Sequence, residues 1–142
     1  MQCCTMLSGE AKMEINFVVK GLPVVWGVGE REQRWRTEVS SIARQALNEK
    51  YGEEVIEGNY LFEVEITFVI PYQAENNRGI FNMDLDNLVK PILDALFHDD
   101  NPQNQGNLFI FNSDDSYVVS LIAKKVVSPD NNGRAFIKVK WY

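Results

Sequence analysis

Four aspartates in the middle of the chain have the spacing of a reactive site. Asp84 and Asp86 stand two residues apart ahead of an apolar helical stripe, and Asp114 and Asp115 are adjacent ahead of an apolar strand pattern. A single Asp at a helix start reads most simply as an N-cap, its carboxylate accepting the orphan N–H groups of the first turn. Two carboxylates at i and i+2 cannot both be that cap, and a pair ahead of a strand needs none. The chemical alternative is a hard divalent cation. Magnesium prefers oxygen ligands in octahedral geometry, takes a few carboxylates and keeps its other positions for water or phosphate. Held this way, it activates water and neutralises charge that develops on a phosphate in transit.

Lys90 is the only basic residue between Arg78 and Lys124. On a helix it falls four residues after Asp86 and four before Asp94. It is then either an ion-pair partner worth about 0.3 kcal/mol or a fixed positive charge suited to a phosphate oxygen beside the metal. Spacing alone leaves both readings open.

Charge is distributed unevenly around these residues. The 142 residues carry a formal charge of −6, which argues against a generic basic nucleic-acid binder, because phosphate binding is driven by Lys and Arg. Residues 1–50 hold seven basic and six acidic side chains, residues 51–115 two against thirteen, and residues 116–142 five against one. An acidic middle between more basic flanks suits metal ligands within a cationic surround, and equally suits a solvated acidic face.

The elements that must position these groups are legible from periodicity. Met13 to Lys20 alternates as a half-buried strand, and Gly21 and Pro23 open a loop through Gly29. From Glu30 to about Lys50, Trp35, Val39, Ile42, Ala43, Ala46 and Leu47 recur at helical spacing, with Gly52 placed to end the helix. Leu61 to Ile70 is the clearest strand, closed by Pro71. Leu85 to Phe97 is an amphipathic helix containing Pro91, which marks either its first turn or a kink. A polar loop follows from His98 to Ser113, its Leu108–Phe111 patch being either a short strand or a partner contact. A strand runs from Val118 to Val127, and Pro129 to Gly133 is a strong turn signal that predicts a hairpin with a last strand from Phe136 to Tyr142. The order β-α-β-α-β-β predicts one α+β domain over residues 13–142, helices packed on a mixed sheet, behind a flexible tail of residues 1–12.

The run Asp84-Leu85-Asp86-Asn87-Leu88-Val89-Lys90, then Asp94-Ala95-Leu96, then Asp114-Asp115 with Val118-Val119 resembles the RusA-type Holliday junction resolvases. Their signature is a D-x-D-N helix start with a Lys four residues after the second Asp, a D-A-L end, and a D-D pair opening the next strand. The resemblance covers roughly residues 13–142. It implies a homodimeric, magnesium-dependent endonuclease that cuts four-way DNA junctions by paired nicks in recombination and repair, in a bacterial or phage setting. It places the functional residues on Asp84, Asp86, Lys90 and Asp115, with Asp84, Asp86 and Asp115 as the metal ligands. The competing reading is a catalytically silent DNA-binding or interaction module on the same fold.

DNA would be gripped outside the acidic segment, at Arg31, Arg34, Arg36, Lys124 and Lys125. Trp26, Trp35 and Trp141 are candidate platforms for base stacking. Trp35 sits on an apolar stripe and reads as core, while stacking and core roles stay open for the other two. The Leu108–Phe111 patch and the final strand ending in Trp141 and Tyr142 are candidates for the dimer contact, and a buried core role is equally open for either. His98 is the sole histidine, so histidine metal clusters and Ser-His-Asp triads have no support. Cys3 and Cys4 are adjacent and cannot staple a fold. No apolar run reaches the ~18–20 residues that span a bilayer, and residues 1–12 lack a signal-peptide stretch. A reduced cytoplasmic setting is the expectation.

Overall fold

The computed structural model describes residues 12–72, 79–98 and 109–142. Cys3, Cys4, Arg78 and Leu108 lie outside the described residues. So does the expected tail apart from Lys12, whose Nζ pairs with Glu63 at 3.0 Å.

The chain forms β1 (Met13–Lys20), α1 (Glu30–Tyr51), β2 (Phe62–Ile70), α2 (Leu85–Leu96), β3 (Phe97–His98), β4 (Phe111–Asp114), β5 (Val118–Val127) and β6 (Arg134–Trp141). Short 3-10 turns at Ile80–Asn82 and Asp115–Tyr117 precede α2 and β5. The α+β class and the element order follow the periodicity, with one small addition: β3 and β4 pair as a parallel two-stranded ribbon.

Helix α1 starts without a side-chain cap at Gly29 and stops at Gly52, whose positive φ of 73° lets its N–H close onto Asn48 O. Its apolar stripe of Trp35, Val39, Ala43 and Leu47 is buried. Pro91 falls inside α2 rather than in its first turn. A proline has no N–H, so the carbonyl four residues back, Asn87 O, loses its helical partner. That carbonyl instead accepts the backbone N–H of Trp26 at 2.8 Å.

The main sheet has the order β1-β6-β2-β5, with β6 antiparallel to β1 and β2, and β5 parallel to β2. The expected hairpin is therefore corrected, because β2 lies between β5 and β6. Strands two places apart are only ~10 Å from one another, and the turn residues Ser128 to Gly133 bridge that gap across the end of β2, where the Ser128 N–H reaches Ile70 O at 2.8 Å. Strand β2 earns the central place by burial, since Phe62, Val64, Ile66, Phe68 and Ile70 are all at most 1% exposed. Both helices pack on that face. No described residue packs over its opposite face, where Val18, Ile122, Phe136 and Lys124 line a shallow depression.

Of the two roles open to the Leu108–Phe111 patch and the last strand, the core role holds at Ile110, Phe111 and Trp141. Ile110 and Phe111 are fully buried, and Ile110 is tied by backbone bonds to Ile56 and Leu96. Trp141 is buried too, with its ring edge-on to Phe111 and Tyr51. These aromatic side chains close the core beneath the β3–β4 ribbon.

Candidate active site

Helix α2 presents the acidic pair. Asp84 occupies its N-cap position, with extended φ and ψ, yet makes no side-chain cap bond. Asp86 sits in the first turn. Both are exposed, and among the described residues neither carboxylate has a hydrogen-bond or ion-pair partner. A capping role for Asp84 is thus unused, while the partial positive charge of the helix start favours carboxylates there.

Lys90 lies one turn beyond Asp86 on α2, half-exposed. Its Nζ is 3.7 Å from Asp94 Oδ1 and 6.0 Å from the centre of the Trp26 ring. The ion pair foreseen from spacing is present, and at such exposure it is worth little.

The segment that delivers Asp84 is held by Lys125. This lysine's Nζ donates to Ile80 O at 2.7 Å and to Met83 O at 2.8 Å. Lys124 and Lys125 project to opposite faces of the sheet, as neighbours on a strand must. Lys124 is exposed on the open face, whereas Lys125 turns towards α2. Phe81, three residues before Asp84, is 75% exposed and packs edge-on to the exposed Tyr72 at 5.4 Å.

Asp114 and Asp115 occupy a different place. Asp114 caps the second 3-10 turn by accepting the Ser116 N–H at 2.7 Å. The amide and hydroxyl of Ser116 hold its carboxyl below the ordinary aspartate range. Asp114 is therefore the member of the pair that caps this turn. Asp114 is paired with His98, directly after the end of α2. The Asp84–Asp86 pair and Asp115 therefore flank opposite ends of α2, whose twelve residues span ~18 Å at ~1.5 Å per residue. Among the described residues no three His, Cys, Asp or Glu side chains form a group able to hold a metal ion. Asp84, Asp86 and Lys90 lie within the first two turns of α2, and Asp115 lies beyond its other end.

The basic residues also divide. Arg31 and Arg34 border a surface hollow with Trp35 and Glu38 at the start of α1. Arg36 is largely enclosed, its Nη2 donating to Gln33 and its Nε 3.8 Å from the buried Glu32. The sequence assigned Lys125 to DNA on charge alone. Its two backbone acceptors are visible only when β5 lies beside the start of α2. The place of Trp26 at the rim had one sequence signal: Pro91, which frees the carbonyl that Trp26 takes up.

Fold and site together define a single-domain α+β protein whose exposed carboxylate–lysine turn suits phosphodiester chemistry. The family model described as Endodeoxyribonuclease RusA matches residues 27–140, most of the chain, and the protein belongs to that family. It is a nuclease by family, acting on DNA as an endonuclease. Comparison with individually curated proteins gives no match. No helix among the described residues is long and apolar enough to cross a membrane.

Proposed function

We propose that the protein is a magnesium-dependent endonuclease that resolves four-way DNA junctions by paired nicks, as a two-fold homodimer serving recombination and repair in a bacterial or phage-infected cytoplasm. The observation that carries the reading is the exposed Asp84–Asp86 pair at the start of α2, unpartnered among the described residues, with Lys90 one turn away, in a chain of the endodeoxyribonuclease family.

Two carboxylates fit magnesium, which commonly takes one or two from protein and fills its remaining positions with water and phosphate oxygens. When bound, the ion lowers the pKa of water and offsets charge on the phosphate. Hydrolysis adds water across one P–O bond and leaves a phosphate and a hydroxyl at the nick. Asp84 and Asp86 orient the ligand sphere from a fixed helical turn. The Lys90 ammonium, on the next turn of the helix, offsets charge on a phosphate oxygen as the bond breaks. Arg31, Arg34 and Lys124 grip the flanking duplex through phosphates.

The dimer answers the separation of Asp115 from the other two. Strand β5 is an edge of the sheet, and its Val119 and Leu121 side chains are exposed. Asp115 lies just before β5, and Asp84 lies beside its far end through Lys125 and Met83. Two β5 edges paired antiparallel about a two-fold axis set the start of one strand against the end of the other. Such pairing is what an uncovered edge invites, and closed two-fold dimers are the commonest assembly. Each site then draws Asp84, Asp86 and Lys90 from one subunit and Asp115 from the other.

Subunit mixing tests this. Asp84→Asn and Asp115→Asn proteins are assayed alone and mixed, on a four-way junction in a supercoiled plasmid with Mg²⁺. Each alone is expected to be inactive, and the mixture to release nicked circles, because every heterodimer regains one complete site. An inactive mixture places all ligands in one chain. Unsubstituted protein that binds the junction without cutting it, with or without Mg²⁺, is the silent binding module instead.

A further inference from the structure

We propose that the Trp26 indole is a stacking platform for a nucleobase of the DNA laid across the start of α2, an inference that rests on the endonuclease reading of that turn. Of the three tryptophans, Trp35 and Trp141 are buried at 5% and 0% exposure, while Trp26 is 52% exposed. Of the three rings, Trp26 alone therefore offers its face to a base from solvent.

The backbone beneath the ring is fastened on both sides. The Trp26 N–H donates to Asn87 O at 2.8 Å, using the carbonyl left over by Pro91. The next amide, Gly27 N–H, donates to Glu32 Oε1 at 2.6 Å, and Glu32 is itself buried at the start of α1. Gly27 and Gly29 both take positive φ, which lets the loop turn sharply between these two anchors. The ring is thus displayed from a held loop, which reduces the ordering cost of binding a partner.

Its place selects the ligand. Asn87, the residue Trp26 bonds, directly follows Asp86, and the Lys90 ammonium lies 6.0 Å from the ring centre. A phosphate held by Lys90 carries its own nucleoside within reach of the indole. Every base offers a π-face, so an aromatic platform binds without reading sequence, and loss of one such contact weakens binding roughly ten-fold. Unpaired or loosely stacked bases, as at a branch point, meet the ring at least cost.

The test uses full-length Asp86→Asn protein, so that DNA is bound and not cut, titrated with a four-way junction carrying 2-aminopurine beside the branch. Intrinsic fluorescence separates the exposed Trp26, emitting to the red, from the two buried tryptophans. Stacking is expected to quench the red component and the 2-aminopurine together. Trp26→Phe is expected to remove the protein quench, and Trp26→Ala to weaken binding roughly ten-fold with the salt slope unchanged, since no phosphate contact is lost. Thermal melts of both variants establish that they fold. Junction binding with a quench that survives Trp26→Phe overturns the platform alone, as does unchanged affinity of Trp26→Ala. Unsubstituted protein that binds the junction with Mg²⁺ and does not cut it removes the endonuclease reading on which the platform stands.

Discussion

The Lys125 ammonium is 2.8 Å from the carbonyl oxygen of Met83, in the peptide that joins Met83 to Asp84. Together with the bond to Ile80 O, this fixes the peptide plane from which Asp84 leaves the start of α2. A lysine ten residues beyond Asp115 on the adjacent strand thereby sets the orientation of a carboxylate that it does not touch.

Lys125→Met keeps the stem of the side chain and deletes both bonds. With hydrogen bonds to charged groups worth about 1.5–3 kcal/mol, and partial exposure to soften the loss, stability should fall by about 2 kcal/mol. Cleavage should fall with it, and the salt slope of DNA binding should stay unchanged, because this ammonium is already engaged. Urea unfolding and salt-dependent binding measure both. Unchanged stability would mean that the two bonds contribute nothing in solution.

Asp84→Asn removes a ligand charge at nearly constant volume from a side chain that holds nothing else. Cleavage should drop by roughly a thousand-fold or more, about 4 kcal/mol in barrier, while the melting temperature without metal stays level or rises. Activity near that of the unsubstituted protein would take Asp84 out of the reaction.

Arg31→Gln and Arg34→Gln should each lower the slope of log K against log salt by about 0.9, at every DNA sequence alike. Arg36→Gln should instead loosen the start of α1, because its guanidinium already engages Gln33 and Glu32. A slope unmoved by the first two changes would place the DNA on another surface.

Val119→Lys and Leu121→Lys act on the free edge of β5. Both side chains are exposed, so the fold should tolerate them, while like charges facing one another across a two-fold axis should separate the subunits. Sedimentation should then report one chain, with paired nicking lost. Dimers that persist at the same concentration would move the interface off β5.

The turn after β5 should be sensitive to acid. The Ser128 hydroxyl, then the Asn132 amide and the Arg134 guanidinium, hold the Asp130 carboxyl well below the ordinary aspartate range. A depressed folded pKa contributes stability that is present above the unfolded value and is lost as the pH falls through the folded one, here from about pH 4 downward. Asp130→Asn should therefore lose less stability on acidification than the unsubstituted protein in parallel urea titrations. Equal losses would assign the acid sensitivity to other groups.

Periodicity and end signals set most of the elements within the chain itself. Helix α1 begins at Glu30 and ends at Gly52 because an apolar stripe and a left-handed glycine are local features. The same holds for the alternation in β1 and β2, and for Asp84, Asp86 and Lys90, whose relation needs nothing beyond 3.6 residues per turn. Other features depend on which strands become neighbours. Insertion of β2 between β5 and β6 cancels the hairpin that the turn residues suggest, and it turns Lys125 towards Met83 while Lys124 faces away. It also sets Asp115 at the far end of α2 from Asp84, although both precede an apolar element in the same way. Sheet order is settled by long-range burial, chiefly that of β2, and no local pattern encodes it. The three tryptophans follow the same division: burial of Trp35 was readable from its stripe, whereas only the packed core separates Trp141 from the exposed Trp26.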